Sequence, residues 1–292
     1  MKPNTMQIIG YLIHALARGL DFIGSTARFL AGLLNGLLPV LLPPEQLNRL
    51  MRMRYQRIYM DDLSEHATPV EKHDLALWEA DLLDRYALRS GRILVLGSGY
   101  GREAIPIAQR GLAVVGVDSN GAAVRTAGRL AKHSSARARF HQADFLRLPY
   151  RLASFDYVLL SSIMYSAIPG IASRQAFLQS LAGVLTPGGL IVLGFESRQC
   201  PRSRLGILRD RLCLALARFP GTNAGYQVGD NCQNGHFLHE FQEKEEIRRE
   251  FLQTGLTIRE LDWDRGFAVL AQSQAVTPPP ARPVQEQAAL SR

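Results

Sequence analysis

A chain of 292 residues, 47% of them hydrophobic, has material for one large α/β domain with extensions, which excludes a fibrous or disordered protein. The net charge of +8 is uneven: residues 1–60 set Lys2, Arg18, Arg28, Arg49, Arg52, Arg54 and Arg57 against Asp21 and Glu45 for +5, residues 273–292 add +1, and the centre keeps +2. That near-neutral centre makes nucleic acid an unlikely partner, because a nucleic-acid reader carries a basic stripe on its own fold. Cys200, Cys213 and Cys232 show no paired spacing, so no disulfide framework is expected and a reducing compartment is.

In chain order, residues 1–70 form an apolar, basic helical region. Ile9, Leu12, Ile13, Leu16, Leu20 and Ile23 follow helical spacing. The longest uncharged run, residues 29–44, has 16 residues, short of the roughly 20 a spanning helix needs. Three readings stay open: helices lying on a membrane surface, with peripheral contact through residues 1–60 at the inner face of a cytoplasmic protein; a cap on the domain or a dimer partner; and a spanning anchor. A secretory signal fits poorly.

Residues 71–86 read as a helix, with Leu75, Trp78, Leu82 and Leu83 as its apolar positions. Strands at 92–96, 113–117, 138–141, 155–161 and 190–195 then alternate with helices at 102–110, 121–133 and 173–185, which implies a parallel sheet wound on both faces, with ligands at the carboxyl ends of its strands. Residues 201–219 read as a basic amphipathic helix with Leu205, Leu208, Leu212 and Phe219 on one side, and 220–235 as a loop. A charged helix at 242–254 and strands at 255–262 and 266–272 complete a domain over 71–272, in which 197–240 is a substrate-side insertion. Residues 273–292, with three consecutive prolines, read as a disordered tail.

ILVLGSGYGREA, residues 93–104, places Gly97, Gly99 and Gly101 between a buried strand and a helix, where backbone can run flat against a ligand. Asp118 closes the second strand, 21 residues after Gly97, where an acid can accept from both hydroxyls of a ribose. Asp144 follows the third strand with Phe145 beside it, and LTPGGLIVLGF supplies a helix end, a Pro-Gly-Gly turn and a buried strand. Together these elements resemble the class I S-adenosylmethionine-dependent methyltransferases of small-molecule type, whose fold is a Rossmann-like, doubly wound, seven-stranded sheet. The resemblance runs from about residue 82 to 272.

The resemblance implies S-adenosyl-L-methionine as cofactor, held by Gly97, Ser98, Gly99 and Gly101 at its methionine and ribose, by Asp118, Ser119 and Asn120 at the ribose, by Asp144 and Phe145 at the adenine, and faced by Ser161 and Ser162. One departure stands out: family members carry an acid two residues before the first glycine, where this chain has Val95. The Asn/Asp-Pro-Pro-Tyr/Phe motif of adenine- and glutamine-methylating enzymes is missing from LLSSIMYSAIP. The expected activity is methyl transfer to oxygen or nitrogen of a small or lipid-like acceptor. The alternatives are a cofactor-binding interaction protein without catalysis and, more weakly, a nicotinamide-nucleotide oxidoreductase. Tyr165, His236 and His239 are the candidate catalytic residues, Tyr165 to orient an acceptor and the histidines, with Glu240 nearby, to serve as base. Tyr55 and Tyr59 could close over the cofactor, and no metal site is expected.

Overall fold

The computed structural model describes residues 24, 36–53, 74–160, 162–233 and 236–272. The expectations for residues 1–23 and 25–35, for Tyr55, Tyr59 and Ser161, and for the tail 273–292 lie outside the described residues. Two helical stretches, α1 (residues 36–41) and α2 (44–53), precede α3 (Leu77–Arg85). Then follow β1 (Arg92–Leu96), α4 (Ala104–Gln109), β2 (Ala113–Asp118), α5 (Gly121–His133), β3 (Ala138–Gln142), β4 (Phe155–Leu160), α6 (Ile171–Val184) and β5 (Leu185–Gly194). The chain continues through α7 (Arg204–Leu216), β6 (Asp230–Gln233), β7 (His236–His239), α8 (Lys244–Leu252), β8 (Leu256–Asp262) and β9 (Phe267–Gln272).

Seven strands form one sheet in the order β3-β2-β1-β4-β5-β9-β8. The pairs from β3 to β5 are parallel, and β9 runs antiparallel to both β5 and β8. Alternation along the strands divides the core. In β1, Leu94 and Leu96 join α6 and α8 on one face, while Ile93 and Val95 join α3 and α4 on the other. Strand order reverses between β1 and β4, and that point fixes where a ligand sits.

Most helix ends fall short of the expected bounds, α3 beginning only at Leu77, and two regions differ in kind. Strand β5 begins at Leu185, five residues earlier than the apolar run, because Leu185 already pairs with Phe155 before the register shifts and Tyr157 meets Leu190. The Pro-Gly-Gly turn is thus a bulge inside the strand. Residues 220–235 are not all loop: β6 pairs antiparallel with β7 as a hairpin outside the main sheet. Its polar sequence, DNCQ, hid it, since the pairing is stabilised by helices from elsewhere in the chain. Leu47 and Met51 of α2 pack on Cys232 and Phe237 of the hairpin, and Val40 of α1 packs on Cys213 and Ala217 at α7. Asn223 fastens the same contact by donating from its backbone N–H to Val40 O at 2.7 Å and from Nδ2 to Pro39 O at 2.8 Å. Residues 36–53 therefore cap the 197–240 insertion. Among the described residues, no helix is long and apolar enough to cross a membrane.

Candidate functional site

The glycine loop leaves β1 at the point where strand order reverses. Gly97, Gly99 and Gly101 take φ of +64°, +49° and +92°, a left-handed path that side-chain-bearing residues resist. A Cβ added at Gly97 would lie 2.2 Å from Met164 Cε, so the thioether of Met164, arriving from the loop after β4, covers the loop's first glycine. Ser98 points the other way. Its Oγ is buried beneath the loop without a hydrogen-bond partner, its N–H donates to Val117 O, and its carbonyl accepts from Gly101 N–H. Val95, where the family carries an acid, is buried among the α3 and α4 side chains.

Asp118 locks β2 to this loop. Its Oδ2 accepts from Gly99 N–H at 2.9 Å and its Oδ1 from Asn120 N–H at 2.8 Å. Burial pushes the Asp118 pKa up, against the pull of backbone N–H groups from Asn120, Gly99 and Ser119. A carboxylate can accept about four bonds, so each oxygen keeps capacity for a hydroxyl donor. Asn120 is the N-cap of α5, its Oδ1 accepting from Ala122 and Ala123 N–H, a local task that its position beside Asp118 does not reveal. Ser119 O accepts from Gln142 Nε2 at 3.2 Å, which ties the β2 end to β3.

Asp144 sits beyond β3, as expected, with Oδ1 accepting from Leu146 N–H at 3.1 Å, and Phe145 meets Phe177 edge-on. Its other oxygen has a partner the sequence did not indicate: Arg52 of α2 pairs with Asp144 Oδ2 at 2.7 Å. The capping helix thus reaches the cofactor side of the molecule.

Past β4, Ser162 adopts φ +55°, and its carbonyl crosses so close to Gly194 that a Cβ there would lie 1.7 Å from Ser162 O. Only glycine fits at the end of β5. Between these strand ends lies a cavity of about 300 Å³ whose lining includes Trp78, Ser162, Phe195, Glu196 and Arg265. Glu196 is the acid that sequence reasoning missed. Burial, and then the charge of Glu240, raise its pKa. The available signal was its place two residues beyond β5 in LGFES, at the carboxyl end of a central strand.

Two of the three candidate catalytic residues are placed against the expected roles. Tyr165 is fully buried with its hydroxyl donating to Glu250, and burial followed by that carboxylate's charge drives its pKa well up. Glu250 also takes a two-pronged bond from the buried Arg174, Nε to Oε1 at 2.8 Å and Nη2 to Oε2 at 2.9 Å. His239 is fully buried, its Nδ1 2.7 Å from Asp230 Oδ1 across the hairpin and its Nε2 3.4 Å from Glu246 Oε1. Burial alone would lower its pKa; Asp230 and then Glu246 outweigh burial and raise it. Tyr165 and His239 therefore tie α6, α8 and the hairpin together rather than face the cavity. His236, half-buried, opens β7 opposite Gln233, on a strand rather than the helical face its spacing with His239 would suit.

The loop geometry fits S-adenosylmethionine: three left-handed glycines leave backbone bare, and a desolvated carboxylate stands at the adjacent strand end. Residues 93–189 match the family model described as a methyltransferase domain. Among solved structures, the 1,6-didemethyltoxoflavin-N1-methyltransferase of Burkholderia thailandensis, with 1,6-didemethyltoxoflavin and S-adenosylhomocysteine bound, superposes over 80% of this chain and 92% of its own, at 16% identity and a TM-score of 0.56. A SAM-dependent methyltransferase from Methanosarcina mazei superposes over 68% of this chain and 98% of its own, at 19% identity and a TM-score of 0.51. These likenesses show the fold, that of the class I methyltransferases, and over residues 93–189, which hold β1 to β4 and the glycine loop, the chain matches a methyltransferase domain.

Proposed function

We propose that the protein moves the methyl group of S-adenosylmethionine to an oxygen or nitrogen of a small or lipid-like acceptor held in the cavity between Ser162 and Glu196. The cofactor supplies an activated methyl group, so the protein has only to align the acceptor, exclude water and take a proton. Gly97, Gly99 and Gly101 offer backbone to the cofactor, Asp118 accepts from the ribose hydroxyls, and Asp144 with Phe145 holds the adenine. Glu196 takes the acceptor's proton. The observation that carries this reading is the cavity itself: it lies at the carboxyl ends of β4 and β5 and contains a carboxylate whose pKa is raised, the property of a general base. Support for a small acceptor comes from the Burkholderia enzyme of the same fold, which has 1,6-didemethyltoxoflavin bound.

The apolar, basic residues 1–60 would hold the protein to the cytoplasmic face of the inner membrane. Since residues 36–53 pack on the insertion, that contact falls to the remainder of the segment.

Calorimetric titration with S-adenosylmethionine and S-adenosylhomocysteine, followed by a search for methylated products in a cell extract, tests the reading. In the product assay, Glu196→Gln is expected to slow turnover by roughly 10² to 10⁴ while cofactor affinity stays level. The acidic limb of the pH profile, displaced above the ordinary glutamate value, disappears with it. Cofactor binding with no methylated product would favour the non-catalytic alternative, and full activity in Glu196→Gln would remove that residue as base.

A further inference from the structure

Among the described residues, helix α7 packs through a narrow strip. Asp210, Cys213 and Ala217, at spacings of three and four, are its buried residues, and the last two pack on Val40 and Tyr226. The opposite side of the helix carries Leu208 and Leu212, 55% and 57% exposed, and Phe219, 64% exposed, follows in the turn after its C-terminus. Arg204 and Arg211, both exposed, lie along one edge of this stripe, and Arg218, also exposed, follows in the turn after the helix. The acid of the helix, Asp210, points inward and is bound by Arg202 at 3.0 Å and Arg209 at 3.1 Å. A surface helix ordinarily turns its apolar stripe to the core. Here the widest apolar stripe faces outward, with a cationic border, the pattern of a helix that lies in a lipid interface.

We propose that α7 is a docking face for an anionic lipid bilayer, entering it with Leu208, Leu212 and Phe219 while Arg204, Arg211 and Arg218 meet the headgroups. Charge decides against a second copy of the chain as occupant. The exposed face of α7 offers no acid, so a two-fold contact would set arginines against arginines or leucines. Anionic headgroups over hydrocarbon satisfy both kinds of side chain at once, because long arginine stems lie along apolar surface and keep their guanidinium groups at its edge. The proposal stands whichever acceptor is methylated.

The test uses the full chain and floats it with vesicles of phosphatidylcholine, alone or with phosphatidylserine. The parent is expected to bind the mixed vesicles. Leu208→Ser/Leu212→Ser/Phe219→Ser lowers partitioning by roughly a hundredfold. Arg204→Gln/Arg211→Gln/Arg218→Gln lowers it by about fivefold per arginine and removes the preference for anionic lipid. Thermal melting and S-adenosylmethionine titration on the same samples show that each variant is folded and keep this proposal apart from the catalytic one: a chain that fails to bind cofactor yet partitions this way sinks only the latter. Should the apolar triple variant fail to fold, the arginine triple variant decides alone. Parent-like binding by the arginine variant, or by a folded apolar variant, shows that the remainder of residues 1–60 carries the contact and overturns the proposal. So does a parent that ignores vesicles, including one that sediments as a dimer until the apolar triple substitution splits it.

Discussion

On the cofactor side, the parts of the site lie in short runs of sequence and are made largely of backbone: three left-handed glycines, N–H groups on Asp118, and an asparagine cap at the start of α5. On the substrate side, the structure is held by ionised side chains buried between distant segments. Arg174 and Glu250 are 76 residues apart in the chain, and Tyr165 and Glu250 are 85. Backbone recognition tolerates change in neighbouring side chains, provided the glycines and Asp118 remain. A buried ion network tolerates little, because removing one member strands the charge of another. The first half suits a cofactor that does not vary, and the second fixes a scaffold that would carry the proposed acceptor site.

The sharpest way to break this contrast is to remove one charge on the substrate side. Arg174→Met leaves Glu250 buried with no cation and is expected to cost about 3 to 5 kcal/mol of stability, read as a lower urea midpoint. Removing both charges, as Arg174→Met/Glu250→Leu, is expected to recover part of that loss. A single variant as stable as the parent would mean that the cluster is not what orders this half. Next in size, on the cofactor side, Asp118→Ala removes a charged acceptor for two hydroxyls and is expected to weaken S-adenosylmethionine binding by about 2 kcal/mol, roughly thirtyfold by calorimetry. Unchanged affinity would detach Asp118 from the ribose.

The same contrast explains what could be read in advance. The order of strands and helices, the glycine loop and the acids at the ends of β2 and β3 were legible because each is a local pattern: an apolar run, a turn residue, an acid at a strand end. The β6–β7 hairpin was not, because its strands are stabilised by Leu47 and Met51, nearly two hundred residues earlier in the chain. Nor was the burial of Tyr165 and His239. Their sequence neighbourhood shows polar groups beside a strand end, while Arg174, Glu250, Asp230 and Glu246 come to them from three other elements, α6, α8 and β6. Glu196 escaped because one acid after a strand has no period or motif; only its cavity marks it.

A smaller effect sharpens the substrate-side account through pH. The raised pKa of His239 means that the stability its imidazolium contributes is fully present below the ordinary histidine value of about 6.5 and is lost as pH climbs through the folded value. Glu246 has the opposite sign. Burial opposes its charge, but His239 and then the Gln242 N–H outweigh burial and lower its pKa, so its share is present above the ordinary glutamate value and lost as pH falls through the lowered one. The network should therefore be strongest between these limits. Unfolding free energy is expected to fall as pH rises above the ordinary histidine value, and His239→Gln should flatten that slope. An equal slope in the variant would assign the pH dependence elsewhere.

The smallest effect lies where the two halves meet. Arg52 of the capping helix reaches across to Asp144, but the pair is exposed, with side-chain accessibilities of 51% and 24%. Solvent screens such a pair, so Arg52→Gln should change stability by less than about 0.5 kcal/mol. Its effect on binding has a definite sign. Arg52 pairs with Asp144 Oδ2 and draws on the charge of the same carboxylate that an adenine amine would donate to, which makes Asp144 a weaker acceptor for that amine. Removing Arg52 is therefore expected to tighten S-adenosylmethionine binding by about two- to fivefold, and more at low salt, where the ion pair is strongest. Asp144→Asn, which weakens the ion pair and the amine bond together, should loosen the cofactor instead. If Arg52→Gln loosens the cofactor as well, then the capping helix completes the adenine site rather than competing for it, and the cofactor side is not built from local sequence alone.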